Sequence, residues 1–147
     1  MVIFAADKIL LMQLTDQAKK HLLEASKWAN FIAIVGFIAI ALLIIMSFSI
    51  GSIMASLPDG ALGGISPKFF SFFYLIAAGI YFIPVFFLFQ FGQKTKQALL
   101  QDDHNLLTFG LKKLRAHYKF VGVLFIIFIA LYFVLILFGA FGAILAA

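Results

Sequence analysis

The chain has no cysteine and little charge. Of its 147 residues, 12% are charged and 65% are hydrophobic. Without cysteine there is no disulfide framework, no thiolate nucleophile and no cysteine-ligated metal. The abundance of apolar residues excludes a disordered chain. A globule of 16.3 kDa also has too large a surface to hide them, which excludes a soluble enzyme. An integral membrane protein remains.

Three long stretches of the sequence carry no charged residue. They lie between Lys27 and Asp59, between Lys68 and Lys94, and after Lys119. Each is longer than the roughly 20 residues that a helix needs to cross the hydrocarbon layer. Lipid offers no partner to backbone N–H and C=O groups, so each stretch is expected to be helical. The sequence predicts an all-α integral membrane protein with three transmembrane helices and cytoplasmic helical extensions.

The chain is predicted to form a single membrane domain over 1–147. Turn-forming residues and helix-capping residues divide it into segments. Thr15 is expected to cap the first helix, Ser66 and Pro67 to start the second, and residues 102–105 to form the turn before the third. The predicted segments are a cytoplasmic N-terminal helix (1–30), TM1 (31–54), an external loop (55–68), TM2 (69–91), a cytoplasmic helical hairpin (92–119) and TM3 (120–143).

Basic residues are distributed unevenly between the two sides of these spans. Ten of the eleven lysines and arginines precede TM1 or lie between TM2 and TM3, and only Lys68 falls in the other loop. By the positive-inside rule, the N-terminus is predicted to be cytoplasmic and the C-terminus to lie outside.

Reactive groups are missing from the predicted spans, which contain no Asp, Glu, Lys, Arg or His. This argues against a pump or a secondary transporter, since those proteins place ionisable groups at membrane depth. No Ser–His or Asp pair is available there for catalysis, so the chain is predicted not to be an enzyme. His104 beside two aspartates is interpreted as a solvated turn whose carboxylates cap the next helix, because adjacent residues rarely converge on a metal. No cofactor and no nucleic-acid partner are predicted.

Two sets of residues are candidates for contacts. Small side chains allow helix backbones to approach closely in lipid, either within one chain or between copies; the candidates are Ala29, Ala33, Gly36, Gly139 and Ala143. Basic residues beside the spans are candidates for contact with anionic lipid, although setting the topology would suffice to explain them. These are Lys94, Lys96, Lys112, Lys113, Arg115 and Lys119.

The aromatic second span allows two interpretations. It could form a groove for a flat apolar ligand, with Tyr74, Tyr81 and Gln90 as the polar contacts. Aromatic packing and anchoring at the interface is the favoured interpretation. His117, next to Arg115 and Lys119, is expected to face the lipid headgroups.

Four motifs follow one another along the chain: Leu22-Leu-Glu-Ala-Ser-Lys-Trp-Ala-Asn-Phe31, Tyr81-Phe-Ile-Pro84, Lys94-Thr-Lys-Gln-Ala-Leu99 and Leu111-Lys-Lys-Leu-Arg-Ala-His-Tyr-Lys-Phe120. Their order resembles a family of small bacterial inner-membrane proteins of unknown function. The likeness covers roughly residues 15–140. The resemblance implies a multi-pass protein of the inner membrane of Gram-negative bacteria. It implies no activity and no functional residues.

These observations together predict a non-catalytic accessory or scaffolding membrane protein. Its expected partners are membrane lipids and either further copies of itself or other membrane subunits. The alternative is an oligomeric pore, or a protein that binds lipid or another apolar ligand, with Ser47, Ser49, Ser52, Tyr81 and Gln90 lining an otherwise apolar path.

Overall fold

The fold consists of three long helices. A computed structural model describes residues 15–58 and 64–145. The helices are α1 (Asp16–Ala55), α2 (Pro67–Gln101) and α3 (His104–Leu145), and the described residues include no strand. All three helices are long and apolar enough to cross a membrane. The predicted all-α membrane fold is confirmed, and by helix length and composition the chain is a multi-pass membrane protein.

The first two helices begin where local chemistry predicts. Thr15 Oγ1 accepts a hydrogen bond from the Ala18 backbone N–H at 3.2 Å, so the predicted N-cap of α1 is confirmed. Pro67 occupies the first turn of α2, where its missing N–H costs nothing. Ser66 holds the predicted N-cap position, although its side chain makes no capping hydrogen bond.

The turn between α2 and α3 is shorter than the predicted 102–105. It consists of Asp102 and Asp103, and α3 already begins at His104. Asp102 adopts a left-handed backbone conformation with φ 49°, which Asp tolerates better than most residues. Asp103 Oδ1 accepts hydrogen bonds from the backbone N–H groups of Asn105 (2.9 Å) and Leu106 (3.1 Å). Carboxylate capping of the third helix is therefore confirmed.

Helix α2 lies between the other two helices. It packs against α1 and against α3, whereas α1 and α3 make no direct contact in the described ranges. All neighbours are antiparallel, as the turn requires for α2 and α3, and as the Lys19–Asp102 ion pair shows for α1 and α2. The start of α1, the end of α2 and the start of α3 therefore meet at one end of the molecule, which we call the basic end. The opposite end is called the far end.

Buried residues, several of them small, recur at intervals of seven along the contact between α1 and α2. On α1 these are Ser26, Ala33, Ile40 and Ser47, and on α2 they are Pro84, Phe91 and Ala98. A seven-residue repeat keeps one stripe of each helix facing the other, as in left-handed coiled coils. The residues before the predicted span thus continue α1 without a break and pack on α2.

Helix α3 is packed over only part of its length. Between Leu106 and Leu124 one face of α3 is half-buried, and Gly110 on this face is buried. From Phe125 to Gly139 every residue is exposed. The three helices therefore pack together towards the basic end, while towards the far end only α1 and α2 remain paired.

Candidate functional site

The predicted helix-packing residues of α1 lie against α2 of the same chain. Ala33 is fully buried and Ala29 is 6% exposed. A methyl group added to Gly36 would lie 2.9 Å from Val85 Cγ2, which is closer than side chains tolerate. On α3, nothing lies within 4 Å of the corresponding position at Gly139. The side chain of Ala143 falls outside the described residues.

Two further glycines, which we did not single out from the sequence, mark the tightest contacts near the basic end. A methyl group on Gly92 would lie 2.6 Å from Asn30 Oδ1 and 2.8 Å from the Ser26 carbonyl oxygen of α1. A methyl group on Gly110 would lie 2.5 Å from Thr95 Oγ1. The sequence did carry one signal for these contacts, an isolated glycine inside a long helix. Such a glycine lowers helix stability, so its presence indicates a packing or functional reason.

An oxygen atom lies over each of these glycines. Asn30 Oδ1 and Thr95 Oγ1 are both buried and have no conventional hydrogen-bond partner among the described residues. Each occupies the space that a Cβ would take on a glycine of the next helix, 2.6 Å from that position at Gly92 and 2.5 Å at Gly110. The two oxygen–glycine contacts join α1 to α2 and α2 to α3.

The basic end also carries a polar cleft between the start of α1 and the α2–α3 turn. It has a volume of about 350 Å³, and its polar lining includes Asp16, Lys19, Asp102, Asp103 and His104. Lys19 Nζ donates to Asp102 Oδ1 at 2.8 Å. In the part of the chain that the structure describes, no three His, Asp or Glu side chains come together in a way that would hold a metal ion.

The Lys19–Asp102 ion pair gives a prediction for the pH dependence of stability. Its hydrogen bond and charge attraction raise the pKa of Lys19 and lower the pKa of Asp102. The lowered carboxyl pKa contributes stability above its ordinary value of 3.8, which is lost as the pH falls through the folded-state pKa. The raised ammonium pKa contributes stability below 10.5, which is lost as the pH rises through the folded-state pKa.

A double-mutant cycle with Lys19→Gln and Asp102→Asn measures this contribution. We expect a small, constant coupling energy from about pH 5 to pH 9, since the pair is exposed, and its disappearance at both extremes. Asn preserves tolerance of the left-handed conformation at position 102. Thermal unfolding in detergent at several pH values is the measurement. A coupling energy that persisted at pH 2 would contradict the assignment.

His117 connects α2 and α3 directly. Its Nδ1 lies 2.7 Å from the carbonyl oxygen of Pro84. A carbonyl oxygen only accepts, so Nδ1 carries the proton. The ring is half-buried against α2, and the expectation that it faces lipid headgroups is wrong. The interaction could not be inferred from sequence spacing, because 33 residues separate the partners.

The six basic residues that we predicted as lipid contacts do not form one surface. Lys113 Nζ lies over the rings of Phe87 (5.4 Å to the centroid) and Phe109 (5.1 Å). Lys94 is half-buried. The other four are exposed, namely Lys96 on α2 and Lys112, Arg115 and Lys119 on α3. Two of the six basic residues are therefore partly buried against the helices, and the other four are exposed and accessible to lipid.

The residues proposed for an apolar path are scattered. Ser47 is buried and donates to the Ile44 carbonyl at 2.7 Å, whereas Ser49 is exposed and donates to the Ile45 carbonyl at 3.2 Å. Tyr81 lines an apolar groove of about 450 Å³ between α1 and α2, together with Gly36, Ile40, Leu43, Met46 and Val85. Gln90 lies nine residues further towards the basic end, and its Oε1 is buried without a partner in the described part of the chain. One copy of the chain does not bring these polar groups into a continuous path.

Comparison with known proteins adds no assignment to this geometry. No family model, curated protein or solved structure matches the chain.

Proposed function

We propose that the chain is a non-catalytic scaffolding or accessory protein of the bacterial inner membrane, which associates with copies of itself or with other membrane subunits. The charge distribution supports an orientation with the basic end in the cytoplasm. The resemblance to small Gram-negative membrane proteins, quoted above, supports the same location.

The observation that carries the proposal is the contrast between the two halves of α3. The half near the basic end packs on α2, but every residue from Phe125 to Gly139 is exposed. Lipid tolerates exposed apolar side chains, so exposure by itself requires no partner. Van der Waals packing between helices nevertheless favours association in a bilayer, most where a glycine leaves the backbone open. Gly139, with nothing within 4 Å, provides such a position on this half of α3.

The absence of cysteine makes the test direct, because any cysteine introduced is the only one. We expect single cysteines placed in turn along 125–139 to form disulfide-linked products in native membranes at every third or fourth position. That spacing would identify one face of α3 as the interface. The products are either dimers of the chain or complexes with a second protein, distinguished by mass spectrometry.

A cysteine at Phe48 of α1 serves as the matched control. Phe48 is 75% exposed and Tyr132 is 67% exposed, and the pairing of each helix with α2 places the two at similar depth. We expect Tyr132→Cys or its neighbours to cross-link at least several times more than Phe48→Cys. Equal cross-linking at both sites, or none along α3, would contradict the proposal.

The apolar groove around Tyr81 favours the alternative function, binding of a lipid or another apolar ligand. Its volume suits part of an acyl or isoprenoid chain, and Tyr81 supplies one polar contact. Lipid analysis of the purified protein tests this alternative. A co-purifying lipid that is lost from an Ala39→Leu variant, which fills the groove from an exposed position of α1, would favour it over the scaffold. An apolar groove with no retained lipid would contradict this alternative.

A further inference from the structure

Two cations of α3 lie unusually deep relative to the other helices. Gly110 of α3 packs on Thr95, the neighbour of Lys94. Lys119 follows Gly110 by nine residues, which is about 13 Å along a helix. The hydrogen bond from His117 to the Pro84 carbonyl independently places this part of α3 beside the middle of α2.

The packing of α1 on α2 leads to the same conclusion about the depth of Lys119. Gly36 packs on Val85, next to Pro84. Lys27, the last charged residue of α1 before its apolar stretch, precedes Gly36 by nine residues, again about 13 Å. Lys27 of α1 and Lys94 of α2, which border the apolar stretches, therefore lie much nearer to the basic end than Lys119 of α3 does.

The surroundings of this level are apolar. The exposed side chains of α1 and α2 there include Ile32, Val35, Ile83 and Phe86. Neither α1 from residue 28 onward nor α2 from 69 to 93 contains a charged residue. Among the residues that the structure describes, the single ion pair is Lys19–Asp102. It lies closer to the basic end than Lys27 and Lys94. The described part of the chain thus offers no carboxylate to the cations at this depth.

The two deep cations share one face of α3. Arg115 and Lys119 are four residues apart, and both are exposed. Tyr118 adjoins them, 67% exposed, with its ring 5.4 Å from that of His117. A tyrosine beside long cationic side chains is the arrangement that anchors proteins at the boundary between hydrocarbon and headgroups. The flexible stems of Arg and Lys lie along apolar surface while their charged ends reach towards the headgroups.

We propose that Arg115 and Lys119, called the deep pair, bind the phosphate of an anionic phospholipid in the leaflet at the basic end. Arg115 presents a planar fork that donates two hydrogen bonds to phosphate oxygens, and Lys119 adds a second positive charge one turn away. Lys113 is not part of the site, because its ammonium group lies over two aromatic rings of α2 and α3. The site does not depend on the association of α3 with a partner helix, so each proposal can fail without the other.

Quenching of tryptophan fluorescence by brominated lipid measures which lipid lies beside the deep pair. The reporter is the full chain with Tyr118→Trp and Trp28→Phe, which leaves one tryptophan next to the site. It is reconstituted in phosphatidylcholine vesicles that contain a minor fraction of either dibrominated phosphatidylglycerol or dibrominated phosphatidylcholine. We expect phosphatidylglycerol to be enriched locally by roughly thirtyfold, since each basic residue near the surface contributes about 1 kcal/mol.

Two variants decide between a site and general attraction by positive charge. Arg115→Gln with Lys119→Gln is expected to abolish the enrichment. Lys20→Gln with Lys96→Gln removes the same charge from exposed positions nearer the turn, and is expected to retain most of it. Equal losses in the two variants, or no loss in the first, would overturn the proposal.

A charge-conserving variant separates binding from folding. Arg115→Lys with Lys119→Arg keeps both positive charges and is expected to retain at least a fifth of the enrichment. Loss of all enrichment in this variant would also overturn the proposal, because the attraction would then not follow the charge.

Discussion

Gly92→Ala is expected to destabilise the protein by about 1–3 kcal/mol, the usual cost of overpacking a well-packed site. The added methyl group would lie 2.6 Å from Asn30 Oδ1 and 2.8 Å from the Ser26 carbonyl oxygen. The second atom belongs to the backbone of α1, so relief requires the whole helix to move. The free energy of unfolding in detergent or bicelles is the measurement.

Gly122→Ala is the matched control for this substitution. It makes the same chemical change inside a helix, but nothing lies within 4 Å of the added methyl group. We expect it to be neutral or slightly stabilising, because alanine favours helix over glycine. Equal effects of Gly92→Ala and Gly122→Ala would show that α1 and α2 are not in close contact at Gly92.

Gly110→Ala is expected to lower the free energy of unfolding by a similar amount. Here the clash is mainly with a side chain, so a second substitution can relieve it. The methyl group added at Gly110 would lie 2.5 Å from Thr95 Oγ1, and the nearest backbone atom, Thr95 N, is 3.2 Å away. Thr95 is fully buried, and its branched side chain has little freedom to rotate away. In a Thr95→Ala background, Gly110→Ala should therefore cost much less, which appears as a coupling energy of roughly 1 kcal/mol or more in a double-mutant cycle.

The two glycines should differ in how far they can be rescued. Asn30→Ala should rescue Gly92→Ala only in part, since the Ser26 carbonyl oxygen remains in place. Thr95→Ala should rescue most of the effect of Gly110→Ala. In the same Thr95→Ala background, Gly122→Ala should remain additive within about 0.5 kcal/mol. If Gly110→Ala cost the same with and without the Thr95 hydroxyl, the contact across α2 and α3 would be disproved.

Much of this architecture could be predicted from the sequence because lipid restricts the backbone strongly. Long stretches without charge have to be helical in a bilayer, so the three helices follow from the positions of Lys27, Lys68, Lys94 and Lys119. Local chemistry likewise determined where two helices begin, since Thr15 caps α1 by a hydrogen bond and the fixed φ of Pro67 suits the first turn of α2. These effects act within a few residues of each position.

The pairing of side chains between helices was decided by the tertiary structure alone. In an apolar solvent, periodicity does not show which face of a helix meets a neighbour, because lipid and protein are equally apolar. The sequence left open whether Ala33 and Gly36 pack within the chain or between copies, and the register of α1 against Val85 places them inside. The contacts of Asn30 with Gly92 and of Thr95 with Gly110 depend on the same register.

The depth of the basic residues shows most clearly the difference between what the sequence determines and what the tertiary structure determines. The order of the apolar stretches, read from the sequence alone, predicted which ends of the helices lie on the same side, because successive spans cross the membrane in opposite directions. The distances of the basic residues from the basic end depend on how α3 slides against α2, and the packing of Gly110 on Thr95 determines this. Helix formation is governed by backbone groups a few residues apart, whereas the depth of Arg115 and Lys119 is governed by contacts between residues on different helices.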